Sequence, residues 1–209
     1  MRKRFIKDID YDILVPPFGL DCYGFDQKQA EGNFNWYIEK IPERIEYLKK
    51  CCAQDIGIAT EQITLSPESL ILIWRWFLNT ALIEKTPKKQ LCIMRKIFSK
   101  QGEDYVSKDK LSVVTEFIVR DIGMFVGEVF VRNYPDIEWS FYTKPKNDFF
   151  VNCPLLIGFE DDKYSPPYKL VFEPIHMVGV QASKLLDKTQ KETDLYDIFM
   201  KWTEHIPAK

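Results

Sequence analysis

The chain carries only two histidines in 209 residues, His176 and His205. That scarcity leaves little room for a histidine-based metal centre or a nucleophile triad. His205 stands near the end of the sequence. His176 falls in the first turn of a predicted helix, where hydrogen bonding to backbone accounts for it. No H-E-x-x-H or H-x-x-E-H occurs for zinc, and no G-x-S-x-G for an esterase nucleophile. The G-x-x-x-x-G-K-[ST] and G-x-G-x-x-G loops that cradle phosphates are missing as well. None of the five cysteines forms a C-x-x-C or lies at ligand spacing from a histidine. Their odd number and the adjacent Cys51–Cys52 fit reduced thiols in a cytoplasmic protein rather than a disulfide framework. No catalytic residue, cofactor or metal is therefore assigned.

An excess of one charge is also lacking. Lys and Arg total 29 against 31 Asp and Glu, for a net charge of −2. Nucleic-acid binders usually show a basic excess or stripe, so none is expected here. The most basic local patch, Lys88, Lys89, Arg95, Lys96 and Lys100, interleaves with aliphatic residues rather than stacking aromatics. Long apolar runs are absent: the best window, Leu70–Ile83, is interrupted by Arg75 and Asn79, so no membrane span is expected. No apolar stretch follows the basic Met1–Arg4, so no secretory signal is expected either. Asp8-x-Asp10-x-Asp12 resembles the start of a calcium loop. The sixth position is Ile13 and the twelfth Gly19, where that loop needs glycine and glutamate.

What is present is material for a core. Hydrophobic residues make up 45% of the chain and aromatics 14%, which excludes disorder and predicts a single globular domain over 1–209. Ile9, Tyr11 and Ile13 alternate with Asp8, Asp10 and Asp12, predicting a half-buried strand over Phe5–Val15. Asp26-x-x-Gln29 reads as a capping box, but Gly32 and Asn33 weaken the helix behind it. Pro42 suits the first residue of a helix with the stripe Ile41, Ile45, Leu48 and Cys52. Ser66–Pro67 predicts an N-cap and first residue for a buried helix through Leu82. A shorter helix after Pro87 faces Leu91, Met94, Ile97 and Phe98 inward. Gln101–Tyr105 reads as a linker, with Ser107 as the next N-cap.

The chain is organised around Leu111–Arg132. On a helix, Val114, Ile118, Ile122, Phe125, Val126 and Val129 share one arc. A second stripe carries Glu116, Arg120, Gly123 and Gly127. Each glycine costs about 1 kcal/mol in a helix interior, so two of them four apart predict a close crossing by another backbone element. Glu116–Arg120 and Glu128–Arg132 are spaced for (i, i+4) pairs on a solvated face. Ile137, Trp139 and Phe141 then alternate with Glu138, Ser140 and Tyr142, predicting a strand. A second strand over Phe149–Phe159 completes a hairpin packed on the helix. Glu160–Tyr168 reads as a loop. Pro174 begins a helix with Ile175, Val178, Ala182, Leu185 and Leu186 inward, and Asp194–His205 forms the last. The predicted fold is α+β and mainly helical: about six helices with a small antiparallel sheet built on the hairpin near 137–159.

The run Asp121-Ile-Gly-Met-Phe-Val-Gly-Glu128, then Trp139 on a strand and Pro174-Ile-His-Met-Val178, resembles uncharacterised bacterial protein families. Those have a G-x-[FY]-x-G-E helix followed by a tryptophan-bearing strand. The resemblance spans roughly Lys110–Leu186, implies a cytoplasmic bacterial protein and brings no activity with it. The functional expectation is a non-catalytic cytoplasmic protein-interaction module, of immunity or accessory type, with a protein partner and neither nucleic acid nor membrane. Its expected surface is Glu128, Arg132, Glu138 and Tyr142, with Trp139 turned into the core. The alternative is a hydrolase using acids of the 111–132 helix, Asp121 and Glu128, joined by Glu173.

Overall fold

A computed structural model describes residues 10–97 and 107–207. The described residues form six helices and two small antiparallel sheets. The mainly helical α+β class read from the pattern is thus the observed one. Phe5–Ile9, Phe98 and the Gln101–Tyr105 linker lie outside the described residues.

Helix α1 runs unbroken over Gln27–Ile56. Asp26 and Gln29 close the capping box expected of them, each side chain accepting from the other's backbone N–H at 2.8 and 3.0 Å. Pro42 lies inside this helix, not at the start of one. A proline in a helix interior costs about 3 kcal/mol. The buried face offsets that: Ala30, Asn33, Tyr37, Ile41, Ile45, Leu48 and Cys52 keep helical spacing on both sides of Pro42, whose own ring is exposed.

Asp10–Val15 pairs with no strand among the described residues, correcting the predicted strand. The alternation there reflects one anchor, Tyr11, which is buried between exposed Asp10 and Asp12. Helix α2, Ser69–Thr80, begins three residues after the predicted cap. Ser66 and Pro67 instead close a tight turn, their carbonyls accepting from the N–H groups of Ser69 and Leu70 at 3.1 Å. Strand β1, Ile83–Lys85, pairs with β2, Asp109–Leu111, around helix α3, Lys88–Ile97. That ribbon was not foreseen, and it moves the start of the organising helix. Leu111 belongs to β2, Ser107 turns back onto Asp109, and Ser112 is the N-cap of α4, Val113–Asn133.

Helix α4 is buried nearly all round, because α1, α2, α5 and the second sheet surround it. That sheet has the order β3, Glu138–Ser140; β4, Leu155–Asp161; β5, Tyr168–Phe172. Trp139 opposes Leu156, as a hairpin requires. The third strand, β5, falls partly in a stretch read as a loop. Helices α5, Pro174–Asp187, and α6, Asp194–Thr203, close the structure. Phe130, Phe159, Phe172, Phe199 and Trp202 form an aromatic centre between α4, the sheet and α6, with Phe130 and Phe199 ring centroids 4.1 Å apart.

The two glycines of α4 have different neighbours. A Cβ on Gly123 would lie 3.0 Å from both N and Cα of Ile175, so α4 and α5 cross there nearly backbone to backbone. At Gly127 the occupant is a side chain: a Cβ would collide with the Trp139 indole. Trp139 is half-buried against Tyr37, with ring centroids 5.4 Å apart, and its Nε1 donates to Glu128 at 2.7 Å.

Candidate functional site

Two polar groupings are built around α4, and each borders a cavity, the first through Tyr11 and Tyr47. The first joins α1 to α4. Asp121, 3% exposed, accepts from Arg44 Nη2 at 2.6 Å and from the Tyr11 hydroxyl at 2.6 Å. Nη2 also donates to the Asp12 carbonyl at 2.7 Å, and Nη1 donates to the Asp12 side chain at 3.4 Å. Tyr47 covers the guanidinium, its ring centroid 4.6 Å away. Every partner in this grouping is accounted for within the protein, which marks it as a clamp.

The second grouping lines an open cavity of about 500 Å³. Its floor is Asn33 and Tyr37 of α1 with Arg120 of α4. One wall is the segment Leu20–Tyr23, which leads into α1. The opposite wall is Phe149–Pro154, from the long β3–β4 connection, and the N-terminal turn of α5 closes the end with Glu173, Ile175 and His176. The walls are stapled together. Asn152, at φ +64°, donates its side-chain amide to the carbonyls of Cys22 and Phe25, both at 3.1 Å. Asp148 holds the connection from the other side, accepting from the Tyr142 hydroxyl and from Phe150 N.

Glu173 is the N-cap of α5, accepting from His176 N, and is 6% exposed. Burial pushes its carboxyl up to about 7, against the pull of the helix N–H and of Arg120. Tyr37 is 1% exposed, and its hydroxyl has no hydrogen-bond partner among the described residues. Burial, and then Glu173, push that phenol well above its ordinary range. Arg120 makes no ion pair with any described residue. The (i, i+4) pairs Glu116–Arg120 and Glu128–Arg132 do not form: Glu116 and Arg132 project to solvent, while Arg120 and Glu128 are half-buried.

Cys22 and Cys153 meet across the cavity. Donation from the Cys153 thiol lowers the pKa of Cys22 against the cost of burial, with Arg120 adding to the effect; Cys153 is raised in turn. A nucleophile would still need a base. The His176 ring packs edge-on against Phe149 and Phe150 at 5.3 Å each and makes no hydrogen bond to a described residue. Labelling with iodoacetamide near neutral pH should modify Cys22 well before Cys52, whose buried thiol is pushed up to about 12. Peptide mapping checks this, and equal labelling of the two would contradict the assignment.

No protein-family model, no curated protein and no solved structure matches this chain. The site must therefore be read from its own chemistry.

The sequence-predicted surface is not brought together as a free patch. Glu138 and Arg132 are exposed, but Glu128 is bonded to Trp139 and Tyr142 to Asp148. Tyr142 points into its own connection because Asp148, six residues on, supplies an acceptor; strand alternation alone does not register such a local turn. Asp121 and Glu128 belong to separate contacts, with Arg44 and with Trp139, and do not pair. Sequence reading placed Glu173 with Asp121 and Glu128 and gave His176 a backbone hydrogen bond, and it linked neither to Asn33, Tyr37, Arg120 or the Cys22–Cys153 pair. The cysteines are 131 positions apart, and no local pattern links them. Among the described residues, no cluster of three or more His, Cys, Asp or Glu is placed to hold a metal ion, and no helix is long and apolar enough to cross a membrane.

Proposed function

We propose that the chain is a non-catalytic protein-interaction module, of immunity or accessory type, and that its partner docks over the cavity between α1, α5 and the β3–β4 connection. The observation that carries this is the rim. Leu20, Tyr23 and Phe149 are 53%, 59% and 72% exposed around one opening. Exposed apolar residues gathered at a cavity mark binding sites, and aromatics contribute most at such surfaces. Five free thiols fit the cytoplasmic setting proposed for it. A hydrolase working with the acids of α4 would need Asp121 available, and that carboxylate is taken by Arg44 and Tyr11.

The test compares affinity capture by wild type and by a Tyr23→Ser, Phe149→Ser variant in extracts of the source cells. Both residues are exposed, so the variant should melt within about 1 °C of wild type, a change below about 0.5 kcal/mol. A partner retained by wild type should be lost from the variant. Equal recovery from both would move the interaction surface elsewhere.

A further inference from the structure

We infer that the floor of this cavity is a carboxylate subsite, and that its occupant is the C-terminal residue of the partner chain. The carboxylate meets Arg120 and Tyr37, and the side chain lies against Phe149 and Phe150. This rests on the reading that a partner docks at the rim.

Three donors on the floor have no adequate acceptor among the described residues. The Tyr37 hydroxyl is buried without a partner among the described residues. Arg120 lines the cavity with no ion pair to any described residue. Among the described residues, the Asn33 amide reaches only the Cys22 sulfur, at 3.9 Å. A buried hydroxyl left unpaired is a standing destabilisation, and a ligand oxygen would remove it. Guanidinium groups bind carboxylates through paired, charge-assisted hydrogen bonds. The floor thus calls for an acceptor, and the cation calls for a negative one.

The walls select among carboxylates. An Asp or Glu side chain would bring a carboxylate but little apolar surface to match Phe149, Phe150 and Pro154. A C-terminal residue presents a carboxylate and an apolar side chain from one Cα, which suits a polar floor beside apolar walls. Glu173 is the opposing charge. The groups acting on it are Arg120 from α4 and the His176 and Ile175 N–H groups of its own helix. Tyr37 of α1 and the facing thiols of Cys22 and Cys153 also share the cavity with it, as does Asp21 at the exposed mouth. With its carboxyl near 7, Glu173 is protonated on the acidic side of neutrality and then adds a fourth donor. Above that it is an anion and repels the ligand.

The experiment is calorimetric titration of the full chain with N-acetylphenylalanine, N-acetylphenylalaninamide and 3-phenylpropionate. N-acetylphenylalanine should bind at least about tenfold more tightly than its amide. Arg120→Gln and Tyr37→Phe should each shrink that preference while the variants remain folded by circular dichroism. Affinity for the acid should fall from about pH 6 to about pH 8 in wild type and fall less steeply in Glu173→Gln, which keeps the His176 ring and the two thiols of the cavity. Equal binding of acid and amide would overturn the carboxylate subsite while leaving rim docking untouched. Tighter binding of 3-phenylpropionate than of N-acetylphenylalanine would overturn the choice of a chain terminus. Failure of all three to bind at millimolar concentration would overturn the subsite, while the capture experiment with the Tyr23 and Phe149 variant judges rim docking separately.

Discussion

Asp121→Ala is expected to destabilise the protein by about 3–5 kcal/mol, the usual result of removing one partner of a buried ion pair. The substitution leaves Arg44, 2% exposed, with a charge and no carboxylate at Nη2 or Nε. It also strands the Tyr11 hydroxyl, whose acceptor is Asp121. Because Tyr11 is the anchor of the Asp10–Val15 segment, that segment should loosen first, which hydrogen exchange would register. Denaturant melts measure the loss. A double replacement, Arg44→Met with Asp121→Leu, should recover much of it, since no buried charge then remains unpaired. A single variant as stable as wild type would show that the clamp contributes nothing. A double variant no better than the single would show that the loss came from packing, not from charge.

For Gly127→Leu the expected loss is about 3 kcal/mol, at or above the upper end of the usual overpacking range. Helix propensity alone predicts the opposite sign, because leucine is favoured over glycine by somewhat under 1 kcal/mol. Contact decides between them. The new Cβ would collide with the Trp139 indole, which lies between α4 and Tyr37. To make room the ring must leave, breaking its 2.7 Å bond to Glu128 and its edge contact with Tyr37. Tryptophan fluorescence and a thermal melt read both consequences. The two positions should be strongly non-additive: in a Trp139→Ala background the leucine enters vacated space, so the pair should cost less than the sum of the single changes. A Gly127→Leu protein more stable than wild type would sink the claim.

The sequence and the tertiary structure contributed different kinds of information. Helices with strong signals at their own ends were legible. Glu173–Pro174 marks the start of α5, and Asp26-x-x-Gln29 caps α1 as written. Pro42 misled because a local penalty of about 3 kcal/mol was weighed without the continuous buried face that offsets it. Strands β1, β2 and β5 are three to five residues long, too short for alternation to distinguish them from loop. The close backbone crossing expected at both glycines of α4 is found at Gly123, whereas at Gly127 a side chain takes up the space instead. What approaches them, the α5 backbone at one and an indole at the other, depends on elements far along the chain.

The same division holds for the candidate site. Composition determined a chain able to fill a core, and periodicity determined a mainly helical α+β chain around 111–132. Tertiary structure alone decided which polar residues are spent and which are open. Asp121 reads as a solvated helix charge, yet it is buried under Arg44 from a helix 77 positions away. Arg120, its neighbour, faces a cavity and makes no ion pair with a described residue. Adjacent residues on a helix differ by about 100° in direction, so one enters the α1 contact and the other the opening beside α5. A local pattern records that angle, but not what stands on either side of it.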